Sequence, residues 1–213
     1  MKHRVALMGA IAIGVMVAFL LVGRVRAAGP EPAAWAPASG DTWQYQLDGT
    51  IDTTVDADIF DVDLDSTTHD VIADLHGRGR HILCYVDAGT WEPYRPDSAR
   101  FPASVKGPAV DGWPDERWLD IRRTDVLRPL MAARLDRSAA KGFDGVEFDW
   151  IDSHVQRTDF TIDKADQLRY DRWLAKAAHA RGLVVDQKNG PGLVHDLDAW
   201  RLTCRSSIVS CRS

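Results

Sequence analysis

Gly142-Phe143-Asp144-Gly145-Val146-Glu147-Phe148-Asp149-Trp150-Ile151-Asp152 is the stretch whose reading decides the fold. Ahead of it, Val126 to Lys141 has a helical pattern, and Gly142 suits a helix C-terminus because glycine turns left-handed without a steric cost. The residues that follow read as a short buried strand. Strand alternation puts Val146 and Phe148 on one face, and Gly145, Glu147 and Asp149 on the other. In a chain of repeated strand–helix units the first face packs on helices and the second points to the centre of the sheet. The strand therefore delivers Glu147, Asp149 and Asp152 towards its C-terminal end. Carboxylates are costly in such a place unless they are paired, hydrogen-bonded or used in chemistry. Acids at strand ends are also common structural features, so the surrounding sequence has to decide.

Working outward, Lys164 to Arg181 is an amphipathic helix with Leu168, Trp173, Leu174 and Ala178 among its apolar residues, and Leu183 to Lys188 is a further strand. Upstream, Trp118 to Arg122 reads as a strand. So do His81 to Val86, the stretch Ala57 to Asp65 with its acidic–apolar alternation, and Trp43 to Leu47. Ser66 or Thr67 caps a helix that carries Val71, Ile72 and Leu75 and closes at Gly77 and Gly79. A long aromatic connection follows Asp87, and such loops usually carry function. The rhythm is that of an α/β protein with a parallel sheet and its chemistry at the C-terminal ends of the strands. The expectation is a (β/α)8 TIM-type barrel in which about six βα units are visible. A closed barrel needs eight units and typically ~250 residues. The last 13 residues have neither helical nor strand periodicity, and nine of them are Arg, Ser or Cys.

The chain has 213 residues, 45% of them apolar and 27% charged, which suits one soluble domain. Lys2 and Arg4 precede an uncharged run from Val5 to Gly23, followed by Arg24-Val25-Arg26-Ala27-Ala28. This pattern is a signal peptide cut after Ala27, favoured over an uncleaved anchor formed by residues 5–23. Both readings put the folded part outside the cytoplasm. The expected organisation is residues 1–27 as export segment, 28–41 as linker, 42–198 as barrel domain and 199–213 as an atypical tail. Residues 1–27 hold four of the 26 basic residues and no acid, so the mature chain carries 22 basic against 31 acidic residues, a net charge of −9. That balance disfavours nucleic acid and anionic membranes as partners and suits a cationic ligand. Of the three cysteines, Cys84 sits in an apolar run as a small buried hydrophobe, while Cys204 and Cys211 are spaced so that they could pair. The spacing Asp61-x-Asp63-x-Asp65 suggests a calcium loop, but no glycine holds the sixth place and Ile72 holds the twelfth. Asp149, Asp152 and His154 are weak evidence for a metal, and no Gly-x-Ser-x-Gly or glycine-rich phosphate loop is present.

Taken in order, these segments resemble the endo-α-1,4-polygalactosaminidases of glycoside hydrolase family 114. The resemblance is carried by Trp43 to Gly49, Asp61-Val62-Asp63-Leu64, Cys84-Tyr85, Trp91-Glu92-x-x-Arg95-Pro96-Asp97 and Phe101-Pro102. It continues through Gly112-Trp113-Pro114-x-Glu116-x-Trp118-Leu119-Asp120-Ile121-Arg122, then Gly142 to Asp152, Ala178 to Leu183 and Lys188-Asn189. It implies a barrel that cleaves α-1,4-linked galactosamine polymers, a cationic polysaccharide, without cofactor or metal and as a monomer. It also implies that Asp149 is the catalytic aspartate. The family's partner glutamate lies one unit later, in a segment of the form Asp-Trp-Ala-Leu-Asn-Glu-Gln-Cys. Here that segment reads Asp198-Ala199-Trp200-Arg201-Leu202-Thr203-Cys204, and no glutamate follows Glu147 in the sequence. The expectation is a reading frame shifted or cut after about Asp198, with an inactive remnant that binds cationic polysaccharide as the alternative to an enzyme.

Each candidate residue also has a plainer reading. Glu147, one strand step deeper than Asp149, either orients it or takes part in the chemistry. Asp63, Asp87 and Asp152 can meet the amino groups of a cationic sugar or cap neighbouring turns. Tyr85, Trp91 and Trp113 can stack on sugar faces or pack their loops. Lys188 can pair with Glu147 or Asp149, and a structural ion pair is the plainer account.

Overall fold

The computed structural model describes residues 35–197 and the backbone of residues 202–204. The expected export segment, the first part of the linker, the Cys204–Cys211 pairing and most of the tail lie outside the described residues. Among the described residues no helix is long and apolar enough to cross a membrane.

Six parallel strands form one sheet. They are β1 (Trp43–Gln46), β2 (Ile59–Asp63), β3 (His81–Asp87), β7 (Gly145–Asp149), β8 (Val184–Gln187) and β9 (Leu202–Cys204), side by side in that order. Helices α1 (His69–Gly77), α2 (Thr124–Lys141), α3 (Lys164–His179) and the short α4 (Val194–Leu197) supply the crossovers. This is the wall of a TIM-type barrel, six of whose eight strands lie among the described residues. The three strands β4 (Thr90–Trp91), β5 (Lys106–Val110) and β6 (Trp113–Leu119) form a separate antiparallel sheet in the order β4-β6-β5, inserted between β3 and α2.

Register explains which residues meet. Because strands in register point their side chains the same way, Phe60, Val62, Ile82, Cys84, Val86, Val146, Phe148 and Val185 share one face. That face is packed against Ile72 and Leu75 of α1, Leu127, Met131 and Leu135 of α2, and Tyr170, Leu174 and Ala178 of α3. The opposite face is built in layers. Leu83, Gly145 and Val184 are in register at the bottom, and a Cβ on Gly145 would fall 2.4 Å from Val184 Cγ2 and 2.6 Å from Leu83 Cδ2. The layer above holds Asp63, Tyr85, Glu147 and Asp186, and the top layer holds Asp87 and Asp149. Asp61, in register with Leu83, belongs to the bottom layer, so acids run through every layer of this face.

Gly142 has φ 91° at the end of α2, as the sequence predicts, and Phe143 N donates back to Ser138 O. Three expectations need correction. Trp118–Arg122 is not a fourth barrel strand: the strand covers Trp113–Leu119 and runs antiparallel in the second sheet. Period-two alternation marks a half-buried strand without saying which sheet it joins. The N-cap of α1 is Thr68, whose hydroxyl accepts from Val71 N at 3.4 Å, rather than Ser66 or Thr67. Ser66 instead donates to Asp63 Oδ1. Finally, Leu202–Cys204 forms a strand beside β8 although no periodicity is visible there, because three residues are too few to show one.

Cys84 is buried, as its apolar run implies, and its thiol donates to Ser138 Oγ at 3.0 Å. Burial pushes the thiol up to about 12, far from the range in which a thiolate reacts.

Candidate active site

Asp149 ends β7, and both of its oxygens are occupied by donors. Oδ1 accepts from Trp150 N at 2.8 Å and from the Asn189 side-chain amide, and Oδ2 accepts from the Tyr85 hydroxyl at 2.7 Å. Lys188 Nζ stands 3.3 Å from the same Oδ2 and 3.7 Å from Glu147 Oε1. The ammonium is itself clasped between the rings of Tyr45 and Tyr85, 4.6 and 4.8 Å from their centroids, and donates to the Tyr45 hydroxyl. Four sequence-predicted residues, Asp149, Glu147, Tyr85 and Lys188, are therefore brought into one cluster. The carboxylate in its centre is held in one orientation as an acceptor. Such preorganisation is what a group acting on developing positive charge requires.

Beneath Asp149, Glu147 lies against Asp61. Burial first, and then the charges of Glu147 and Asp186, push the Asp61 carboxyl well above its ordinary range. Asp61 finds no N–H or O–H donor among the described residues, so a proton held on it and shared with Glu147 satisfies both. Burial also raises Glu147, while its hydrogen bond with Asp61 and the Lys188 ammonium pull it back.

Asp87 ends β3 in register with Asp149. Its Oδ1 accepts from Gly89 N and Thr90 N at 3.1 and 2.7 Å, and its Oδ2 meets the Thr90 hydroxyl, which is 3.1 Å from Glu116 Oε2. Burial, followed by the charges of Glu92 and Asp149, drives the Asp87 carboxyl well upward. The Thr90 hydroxyl is placed to donate to either carboxylate, and its bond to Asp87 Oδ2 pulls the Asp87 carboxyl partly back down. Asp63 is engaged elsewhere: it accepts from Asp65 N, Ser66 N and Arg95, whose guanidinium also holds Glu92 at 2.5 Å. Arg95 first, then the Ser66 amide, lower the Asp63 carboxyl against the upward push of burial.

The remaining predicted residues lie around this cluster. Asp152 accepts from Gln156 at 2.9 Å, and burial raises its carboxyl, with Asp149 adding to the effect. Trp91 is half-buried in its loop, donating to Ser98 O at 3.0 Å and covered by Lys106 Nζ at 3.8 Å from its ring. Trp113 stands exposed at the tip of the β5–β6 turn. His154 does not join Asp149 and Asp152 in a metal cluster; no group of three or more His, Cys, Asp or Glu with that geometry occurs among the described residues.

Two features escape a linear reading. Asp61 meets Glu147, which sits on a strand two places away in the sheet. Its signal in the sequence is the same alternation that marks Asp63. Asn189 lies one residue past Lys188, outside the strand, and only the three-dimensional turn brings it to Asp149.

The turn that carries Asp149 is tightly built. Trp150 has φ 54°, a left-handed conformation that costs a bulky residue energy and concentrates at functional sites. Trp118 packs edge-on against it at 5.0 Å, and Asp149 O accepts from Ala88 N at 3.1 Å. A Cβ on Gly89 would lie 1.8 Å from Trp150 O. Replacing Gly89 with Ala therefore forces the backbone of Trp150 outward, at about 1–3 kcal/mol. The expected result is a lower denaturant midpoint together with altered packing around Trp150 in its fluorescence. Unchanged values of both would show that the contact yields freely.

The family model for glycoside-hydrolase family GH114 matches residues 25–202 of this chain. The crystal structure of Ega3 from Aspergillus fumigatus in complex with galactosamine is similar at 36% identity with a TM-score of 0.77, over 82% of this chain and 69% of that one. The glycoside hydrolase domain of PelA from Pseudomonas aeruginosa has a TM-score of 0.62 at 14% identity, over 76% of this chain and 64% of that one, a likeness of fold. An uncharacterized protein of Deinococcus radiodurans is 30% identical over 130 residues, which is 56% of this chain and 40% of that relative's length. The chain thus spans under half of that relative.

Proposed function

The chain belongs to glycoside-hydrolase family GH114, and from that membership we propose that it hydrolyses α-1,4-linked galactosamine polysaccharide, with Asp149 as its principal catalytic residue. The observation that carries this reading is the site itself: a carboxylate at the C-terminal end of a barrel strand, oriented by Tyr85, Asn189 and the Trp150 amide. The likeness to a protein solved with galactosamine supports the choice of sugar. So does the carboxylate of Asp149 at the strand end, because each sugar unit with a free amine carries a positive charge.

Glycoside cleavage uses two carboxyl groups, one giving a proton to the leaving oxygen and one acting as nucleophile or base. In this reading Asp149 faces the anomeric carbon as the negatively charged member. Lys188 and Glu147 are positioning residues beneath it. Among the described residues, Glu116 and Asp152 are carboxyls near Asp149 whose pKa is raised, chiefly by burial, as a proton donor's is. The segment corresponding to the family's partner glutamate has its side chains outside the described residues. The reading also places the mature chain outside the cytoplasm, released by removal of residues 1–27.

Incubating the purified chain with partly deacetylated galactosamine polymer is the test. Release of short oligosaccharides, absent when the polymer is fully N-acetylated, is the expected result. Release no greater than from heat-killed protein would overturn the assignment.

A further inference from the structure

Beneath the site lies an acid to which the cleavage scheme gives no task. Asp61 is the central residue of β2, fully buried, and in register with Tyr45 of β1 and Leu83 of β3. Its side chain therefore shares the inner face of the sheet with theirs. From the other strands it meets Glu147 of β7, within hydrogen-bond reach, and the charges of Asp186 on β8 and of Lys188 just beyond it. On the far side of β3 its own charge is felt by Cys84. Neither Asp61 oxygen meets an N–H or O–H donor among the described residues. Two carboxyls in contact with no other donor between them are too costly to ionise together, so the pair keeps one proton.

That proton governs what the ammonium above it does. Lys188 Nζ stands between Glu147 Oε1 at 3.7 Å and Asp149 Oδ2 at 3.3 Å. With the proton on Asp61, Glu147 accepts from it and is partly satisfied from below. Without it, two negative charges lie buried under the ammonium, and their attraction draws Nζ down and away from Asp149. Burial first, then the charge and hydrogen bond of Glu147, favour the protonated form of Asp61, and Lys188 acts in the opposite sense. Burial raises Glu147 as well, but there the same hydrogen bond and the Lys188 charge act downward. The proton therefore belongs to Asp61 and the negative charge to Glu147.

We propose that Asp61 is a positioning residue for the hydrolysis: by donating one proton to Glu147 it leaves the Lys188 ammonium to Asp149. It touches neither the sugar nor the reacting atoms, and it acts through Glu147 and Lys188. The role rests on the galactosaminidase reading, whereas the proton rests on the contact between the two carboxyls alone. An amide in place of Asp61 keeps a donor for Glu147, and a leucine of similar size removes it.

The test compares the full chain with Asp61→Asn and Asp61→Leu, in hydrolysis of partly deacetylated galactosamine polymer and in denaturant titrations across pH. Asp61→Asn is expected to keep kcat within about threefold of the parent, while Asp61→Leu lowers it by about 10–100-fold with KM unchanged, as a misplaced catalytic group does. The titrations need no substrate. A carboxyl raised in the folded state contributes stability that is complete below the ordinary carboxylate range and is lost as pH rises through the raised value. The parent should therefore lose stability relative to Asp61→Asn as pH rises from the ordinary carboxylate range. Equal kcat in the two variants overturns the positioning role, and a stability difference that does not change with pH overturns the shared proton. A parent that hydrolyses nothing overturns the galactosaminidase reading and the role built on it, while the titrations still decide the proton. If Asp61→Leu does not unfold cooperatively, Asp61→Asn decides alone: kcat lost with the amide in place overturns the proposal.

Discussion

Replacing Asp149 with Asn is expected to lower hydrolysis of the galactosamine polymer by about 10²–10⁴-fold, the range associated with losing one positioned catalytic group. The substitution keeps the size of the side chain and removes its charge. It also places an NH₂ group where an acceptor is needed, because Tyr85 donates to one oxygen and Asn189 and the Trp150 amide donate to the other. One of those donors is left unsatisfied in a mostly buried position, at about 1–3 kcal/mol. Activity and stability therefore separate: a modest fall in melting temperature should accompany a near-complete loss of turnover. Turnover within threefold of the parent chain would remove Asp149 from the reaction, whatever the melting temperature did. Tyr85→Phe offers a graded comparison, since it deletes one donor and leaves the carboxylate charged.

The second large effect concerns stability. Arg134 is buried on α2, donates through both Nε and Nη2 to Asp97 at 2.8 Å, and through Nη1 to Asp87 O at 2.8 Å. It therefore ties the connection between β4 and β5 and the end of β3 to the helix layer. Arg134→Met leaves the Asp97 carboxylate buried, with Arg137 at 4.0 Å as its remaining cation. Removing one partner of such a pair costs about 3–5 kcal/mol, a large part of the ~5–15 kcal/mol that holds a domain folded. The pH dependence follows from the sign. Against the upward push of burial, the hydrogen bonds and charge of Arg134 lower the Asp97 carboxyl below its ordinary value. Its contribution is therefore complete above the ordinary carboxylate range and is lost as pH falls below it. Denaturant titrations should show the gap between parent and variant closing in acid. A gap that is constant with pH, or a loss under 1 kcal/mol, would contradict the pairing.

The sequence and the structure agree where local chemistry sets the outcome. Gly142 closes α2 because only a left-handed residue can, and Val146 and Phe148 part from Glu147 and Asp149 because a strand has period two. Both are decided within a few residues. The disagreements arise where the deciding partner is distant. Trp118 alternates like a barrel residue, yet its neighbours are Thr90 and the β5 strand, so it joins another sheet. Asp63 looks like a ligand for an amine until Arg95 reaches it from 32 residues away. Asp61 fails as part of a calcium loop on its spacing alone, yet only the sheet shows that it meets Glu147. Asn189 gives no sign of its role, since no pattern in the chain connects it with Asp149. The strand that carries Asp149 can be read from its own residues; of the shell around its carboxylate, Tyr85 and Lys188 can be named from the sequence and Asn189 and Asp61 cannot.

The second sheet leaves the barrel wall at Gly89 and returns at Asp120, with Leu119 N bonded to Gly89 O and Asp120 N to Val105 O. Its two ends are pinned together, so its length and tip contribute little to how the six parallel strands pair. Within this architecture the insert can drift, lengthen or be exchanged while the strand that carries Asp149 keeps its neighbours.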